Sequence, residues 1–281
     1  MIRQLIISVF LLVLANGLLQ GQNTNTLQYS PENQVAYPSF QKILDTLHLK
    51  GSILVYDSQR RVYYSNDFQW AETPKIPAST FKIPNTIIAL QSGVVESDST
   101  VFKWDGQPKS FKTWEQDLSL ANAFKVSCLP CYQKIARKTG AERMRKYLDL
   151  LQYPGMQFDD KTIDNFWLKP PSAISQVQQI DFLYRFYYQQ LLISERTYSI
   201  MKKIFVMENK DGNSLSGKTG WGVIGERNIG WFVGYLATPD NVFFFATNVE
   251  PTGDPGKDDF LSNRILASKK ALELITSREK H

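Results

Sequence analysis

Ile229-Gly230-Trp231-Phe232-Val233-Gly234-Tyr235-Leu236-Ala237-Thr238 and Val242-Phe243-Phe244-Phe245-Ala246-Thr247-Asn248-Val249 are two apolar runs separated by Pro239-Asp240-Asn241. Aromatic and β-branched side chains suit a pleated, packed surface, and a Pro-Asp-Asn cluster suits a turn, so the stretch predicts a β-hairpin. A second hairpin is predicted far upstream, where Gly51-Ser52-Ile53-Leu54-Val55-Tyr56 and Arg61-Val62-Tyr63-Tyr64 flank Asp57-Ser58-Gln59-Arg60. Between them, from about 79 to 206, the pattern is helical. Pro130 to Thr139 and Ala141 to Leu151 are amphipathic and split by Gly140, a helix stop. Gln176 to Leu192 carries Ile180, Leu183, Tyr184, Tyr187 and Leu191 at helical spacing. Phe40 to Leu47 and Asp258 to Ser277 read as flanking helices. The order of strands, helices, strands and a last helix predicts an α/β chain of the α+β type. Its early and late strands share one antiparallel central sheet, with flanking helices and a mainly helical lobe inserted between them. No repeat or low-complexity linker divides it.

The composition narrows the chemistry. A chain of 281 residues with 43% hydrophobic and 21% charged residues is an ordinary globular protein, long enough to bury a core without metal. The formal charge of +5 is spread along the chain, so no nucleic-acid partner is expected, and small anionic molecules suit it better. There are two histidines, His48 and His281, which leaves no His-rich metal site; a Ser-His-Asp triad would have to rest on His48, which reads better as a helix-end residue. A hydrolase built from this chain needs another base.

Met1-Ile2-Arg3-Gln4 is a short positive start, and Leu5 to Leu14 is apolar apart from Ser8. The run is too short to span a bilayer and reads as a signal peptide over residues 1–21, with cleavage near 17 or 21. An uncleaved anchor or a buried helix is the other reading. Residues 22–281 then form one catalytic domain, exported to the periplasm with no stable membrane anchor, as a monomer or a homodimer. The polar stretch Gln22 to Asn33 is expected to be loose.

Three motifs compete for the chemistry. Gly212-Asn213-Ser214-Leu215-Ser216-Gly217-Lys218-Thr219 matches the phosphate loop of nucleoside triphosphatases, and a strand over Ile204 to Met207 is expected before it. Gly220-Trp221-Gly222-Val223-Ile224-Gly225 is a poor start for the helix that loop requires, and export removes the nucleotide. Cys128-Leu129-Pro130-Cys131 has the spacing of a redox pair, but the chain lacks the βαβ order of thioredoxin-like proteins; the other reading is half-buried cysteines or a local disulfide. The third motif pairs S-x-x-K with a distant K-T-G. Four copies of the first exist, at Ser39/Lys42, Ser79/Lys82, Ser199/Lys202 and Ser277/Lys280, and two of the second, at Lys138 and Lys218. Context favours Ser79, in Lys75-Ile76-Pro77-Ala78-Ser79-Thr80-Phe81-Lys82, which opens an apolar helix. One turn later Lys82 faces the same way, among apolar neighbours that depress its pKa, and supplies a base where histidine is missing. The helix start also places partial positive charge beside any oxyanion. Lys218-Thr219-Gly220 lies in strand-like sequence, whereas Lys138-Thr139-Gly140 ends a helix.

Ala78-Ser79-Thr80-Phe81-Lys82, Ser127-Cys128-Leu129-Pro130, Phe166-Trp167-Leu168 and Gly217-Lys218-Thr219-Gly220-Trp221 together resemble, in order, the motifs of the class D β-lactamases, from about residue 38 to 275. The resemblance implies the serine β-lactamase/penicillin-binding transpeptidase fold and hydrolysis of β-lactam antibiotics. It implies that Ser79 is the acylated nucleophile and that Lys82, N-carboxylated by CO2 or bicarbonate with no other cofactor, is the general base. Ser127 would relay a proton to the leaving nitrogen and Lys218 would supply positive charge. Thr219 and Arg264 would bind the substrate carboxylate, and the backbone N–H groups of Ser79 and Trp221 would form the oxyanion hole. Trp167 would hold the carbamate through its indole N–H. No metal is implied. The alternatives are a β-lactam sensor or a penicillin-binding transpeptidase that acylates without rapid turnover.

Two departures bear on deacylation and substrate range. The family's usual S-x-V is Ser127-Cys128-Leu129, which sets a larger Leu129 toward the lysine pocket. The usual Y-G-N is Tyr153-Pro154-Gly155, and no role is carried onto it. A Cys128–Cys131 disulfide would stiffen the site.

Overall fold

A computed structural model describes residues 27–253 and 256–277; the predicted signal peptide and His281 lie outside them. The strands are β1 (Gln34–Ala36), β2 (Leu49–Asp57), β3 (Val62–Ser65), β4 (Val101–Phe102), β5 (Leu118–Ser119), β6 (Val206–Lys210), β7 (Asn213–Ile224), β8 (Arg227–Ala237) and β9 (Val242–Pro251). The helices are α1 (Pro38–Thr46), α2 (Phe68–Glu72), α3 (Lys82–Gln91), α4 (Leu120–Lys125), α5 (Leu129–Thr139), α6 (Ala141–Leu150), α7 (Gln176–Tyr187), α8 (Glu195–Phe205) and α9 (Lys257–Ser277).

Seven strands form one sheet in the order β1-β3-β2-β9-β8-β7-β6. All neighbours run antiparallel except β1 and β3. The early and late hairpins meet where β2 pairs with β9, Ile53 opposite Thr247 and Val55 opposite Phe245. The expected shared sheet is therefore present. Alternate residues of the central strands enter two cores. Ile53, Val55, Phe232, Phe243 and Phe245 pack with Phe40, Leu44 and Ala271 of α1 and α9. Leu54, Tyr56, Trp231, Val233 and Phe244 pack on the other face against the helical lobe. Both faces are covered, which is why these strands read as unbroken apolar runs. Burying each large side chain there contributes about 1.5–3 kcal/mol.

The helical lobe holds α3 to α8 and a short β4–β5 pair. Gly140 divides α5 from α6 at φ 76°, as its place in the sequence predicts.

The phosphate-loop reading, disfavoured in the sequence, does not apply: the match runs along β7, whose partner strands satisfy its backbone, and no helix start follows it. Three expectations change. The strand expected over 204–207 is present but starts two residues later: α8 continues to Phe205 and β6 runs from Val206 to Lys210. The long helix from Gln176 ends at Tyr187, because Gln189 turns left-handed at φ 56° and the N–H of Gln190 closes back on Arg185 O at 2.8 Å. The described part of the polar N-terminal stretch is pinned: Leu27 N–H donates to Asp181 at 2.9 Å and Tyr29 lies edge-on to Tyr63 at 4.9 Å. It leads into β1, a strand too short to show in the pattern.

Candidate active site

Ser79 sits in a single 3-10 turn, Ala78–Phe81, that runs into α3. The turn is anchored from several sides. Lys75 and Ile174 exchange backbone hydrogen bonds at 3.0 and 2.8 Å. The indole N–H of Trp231 donates to Ile76 O at 2.9 Å. Thr80 Oγ1 donates to Pro77 O at 2.7 Å and accepts from Gln179 Nε2 at 2.8 Å. These contacts hold Ala78 at φ 50°, a left-handed conformation that its Cβ disfavours. Gly220 of β7 lies directly against this turn: a Cβ there would meet Pro77 O and Thr80 Cγ2, each at 3.1 Å. The glycine of the K-T-G motif thus brings β7 up to the serine.

Lys82 Nζ donates to Ser79 Oγ at 2.9 Å. The ammonium lies 5.1 Å from the Tyr132 ring centre, and the side chain is buried. Among the described residues no carboxylate offsets it, and burial alone pulls Lys82 down to about 7. A large fraction of the amine is therefore neutral at neutral pH.

Lys218 approaches from β7. Its Nζ donates to Ser127 Oγ and, at 3.0 Å, to Thr219 O. Its pKa is held well below the usual lysine value by burial first, then by repulsion from Lys82 and Arg264. Ser127 lies at the junction of α4 and α5 at φ 55°. Arg264 reaches in from α9 and donates to Gly220 O, leaving Nε buried without a partner. Burial lowers it to about 10, so it remains a cation at neutral pH. Gly230 makes room for it, since a Cβ there would sit 2.7 Å from Phe260 Cζ and 3.4 Å from Arg264 Cδ.

Ser79, Ser127, Thr219, Trp221 and Arg264 line one cleft of about 610 Å³, and Lys82, Lys218 and Trp167 stand behind its wall. All eight residues singled out in the sequence therefore gather in one place. The Trp221 indole donates to Asn228 Oδ1 at 2.9 Å. Leu129 lines the same cleft, and Tyr153 is buried edge-on to Phe81 (6.0 Å) and Phe182 (4.9 Å), a packing position. Cys128 and Cys131 are joined by a disulfide.

Trp167 is fully buried and stacks on Phe81 at 5.5 Å, yet its Nε1–H has no acceptor. A buried donor without a partner costs about 1–3 kcal/mol. An anionic carboxylate on the Lys82 amine is the acceptor that such a donor suits, and the depressed pKa of Lys82 leaves the amine free to add CO2. These residues fit a carboxylated lysine.

Sequence reasoning missed one wall. Phe111, Thr113 and Trp114 line the cleft from the loop between β4 and β5. Trp114 Nε1–H donates to Val126 O at 2.9 Å, and its ring lies 4.7 Å from Phe111. Three large aromatics, Trp104, Phe111 and Trp114, in an otherwise polar Lys- and Gly-containing loop were the available signal.

Residues 48–268 match the family described as the penicillin binding protein transpeptidase domain. The chain is 37% identical over 225 residues to the β-lactamase OXA-48 of Klebsiella pneumoniae, covering 79% of this chain and 84% of that protein. It is 38% identical over 215 residues to the β-lactamase OXA-11 of Pseudomonas aeruginosa, covering 75% and 80%. Among solved structures, the class D β-lactamase YbXI from Nostoc superimposes with a TM-score of 0.80 at 38% identity, over 84% of this chain and 98% of that one.

Proposed function

The chain belongs to the class D β-lactamases, and from that premise we propose that it hydrolyses β-lactam antibiotics through an acyl-enzyme on Ser79. The observation that carries this reading is the 2.9 Å contact between Ser79 Oγ and a buried lysine pulled down to about 7, at the wall of a substrate-sized cleft.

Lys82 draws the proton from Ser79 Oγ as the oxygen attacks the lactam carbonyl. When CO2 is added to the Lys82 amine, the group supplies an anionic base in the same place. Trp167 would hold that base by its otherwise unpartnered N–H, and Phe81 fixes the indole by stacking. The backbone N–H groups of Ser79 and Trp221 receive the developing oxyanion. Ser127, in contact with Lys218, passes a proton to the leaving nitrogen as the ring opens. Thr219 and Arg264 orient the substrate carboxylate, and the positive potential of Lys218 and Arg264 favours an anionic substrate. Release of the acyl group repeats the chemistry with water in place of Ser79 Oγ. The reading as a sensor or transpeptidase is not favoured: the relatives named above, which are the more similar ones, are β-lactamases, while a regulatory protein of Bacillus licheniformis matches at a lower 31% identity.

Residues 1–21 act as a signal peptide in this reading and place the enzyme where β-lactams arrive. Among the described residues no helix is long and apolar enough to cross a membrane.

The test is nitrocefin hydrolysis by the purified protein with and without added bicarbonate, with Ser79→Ala as control. Multiple turnovers that rise with bicarbonate and vanish in the variant are expected. A single stoichiometric burst would replace hydrolysis by a sensor or transpeptidase role.

A further inference from the structure

We propose that the Cys128–Cys131 disulfide positions Ser127 for proton transfer by locking the joint between α4 and α5; this rests on the catalytic reading of Ser127 above. The joint is an unusual one. At the end of α4, Ser127 N–H donates to Phe124 O at 3.2 Å and Cys128 N–H donates to Ala123 O at 2.8 Å. This paired closure places its turning residue in the left-handed region, where glycine is the usual occupant because it has no Cβ. Here the turning residue is Ser127, at φ 55°. Glycine would suit the backbone, but it has no hydroxyl to meet Lys218. The site therefore keeps a side chain where the backbone disfavours one, and something must hold it there.

The next residue supplies the restraint. Cys128 ends the closure of α4 and is also the N-cap of α5, its Sγ accepting from Cys131 N–H at 3.2 Å. The covalent bond to Cys131 ties this residue to the first turn of α5. That turn is itself fastened to the helix of the other lysine. Tyr132 OH lies 2.6 Å from Thr86 Oγ1, which donates to Lys82 O at 2.7 Å. A continuous path thus runs from Lys82 through Thr86, Tyr132, the disulfide and Ser127 to Lys218. Leu129, inside the bridged loop, is part of the cleft wall and is held by the same link.

The two cysteines are 1% and 6% exposed, so the bridge is not presented to other proteins as a thioredoxin-like redox centre would be. Its reduction takes two electrons and two protons from a small dithiol, breaks the S–S bond, leaves two thiols and converts the dithiol to its cyclic disulfide.

The experiment compares the wild-type protein, the same protein reduced with dithiothreitol, and the double variant Cys128→Ala/Cys131→Ala in nitrocefin hydrolysis well below their melting temperatures. Without the bridge, kcat is expected to fall about tenfold, as for a small misplacement of a catalytic group, with KM nearly unchanged. Ser79 should still acylate stoichiometrically by mass spectrometry, and reoxidation of the reduced protein should restore kcat. Should the double variant not fold, the reduced and reoxidised wild type gives the same comparison. Unchanged kcat in the bridge-free protein overturns the proposal, as does titration of two free thiols in the native protein, or a loss of rate that follows unfolding alone. Turnover persisting in Ser79→Ala would instead overturn the catalytic reading itself.

Discussion

Lys82 Nζ and Ser79 Oγ are held 2.9 Å apart across one helical turn, and among the described residues no acidic partner keeps the amine charged. The pair that the proposed mechanism uses as base and nucleophile is thus coupled by local geometry, while the sheet and the helical lobe supply the burial that lowers the amine's pKa.

Activity should follow the protonation of this amine. With Lys82 lowered to about 7, kcat/KM is expected to decline as pH falls through about 7, and bicarbonate should help least on the acid side, where the amine is protonated. A pH–rate profile at fixed bicarbonate checks this; a flat profile from neutral to mildly acidic pH would contradict it.

The same burial has a stability signature. Below about 7 Lys82 is protonated both folded and unfolded, and the folded state carries the full cost of a buried charge. As pH rises from about 7 toward the usual 10.5, the unfolded chain retains the proton that the folded chain has released, so this group's contribution to stability becomes more favourable. Lys82→Met removes the cost. The melting-temperature advantage of Lys82→Met over wild type should therefore be largest near or below neutral pH and shrink as pH rises.

Trp167→Phe keeps the stack on Phe81 and deletes the N–H. The fold should survive, and half-maximal activity should need about tenfold more bicarbonate, the scale of one lost hydrogen bond to a charged group. Titration of activity against bicarbonate, with 13C-labelled CO2 observed by NMR, measures it. An unchanged requirement would remove Trp167 from the lysine's environment.

Arg264→Ala should reduce kcat/KM by about ten- to a hundredfold, mainly through KM, for substrates carrying the carboxylate. Arg264→Lys should recover only part of this, since an ammonium cannot present a planar fork. Steady-state kinetics with a carboxylate ester of the same substrate is the control: the ester should be insensitive to both changes.

Gly220→Ala should lower kcat about tenfold with a modest loss of thermal stability. The new Cβ would press on Pro77 O, Thr80 Cγ2 and Trp231 Cβ at 3.1–3.2 Å, so β7 must retreat from the Ser79 turn. Full activity in this variant would show that the turn tolerates such a retreat.

Much of this was readable in the chain because it is local. Ser79 and Lys82 are one turn apart, Cys128 and Cys131 bracket one turn, and the late hairpin announces itself by runs covered on both faces. What was hidden depends on partners distant in sequence. The first part of β7 is rich in Gly, Ser and Lys and imitates a phosphate loop; the strand-like residues after it argue otherwise, but its pairing between β6 and β8 is not written in its own pattern. Leu191 still fits the helical spacing of α7, but the left-handed Gln189 has already ended that helix. Phe111 and Trp114 have no periodicity and gain meaning only from a partner distant in the pattern, the Val126 carbonyl that accepts from the Trp114 indole.

The pairing of β2 with β9, with Ile53 opposite Thr247, has a consequence for the order of events during synthesis. The strand beside β2 at the heart of the sheet is made among the last, so a nascent chain that has emerged only as far as the helical lobe lacks the platform on which that lobe packs. Long-range closures of this kind slow folding and make it depend on the whole chain. A ribosome-bound or partly translocated polypeptide would stay open until its final strands arrive, and catalysis would begin only once the two ends of the sequence have met.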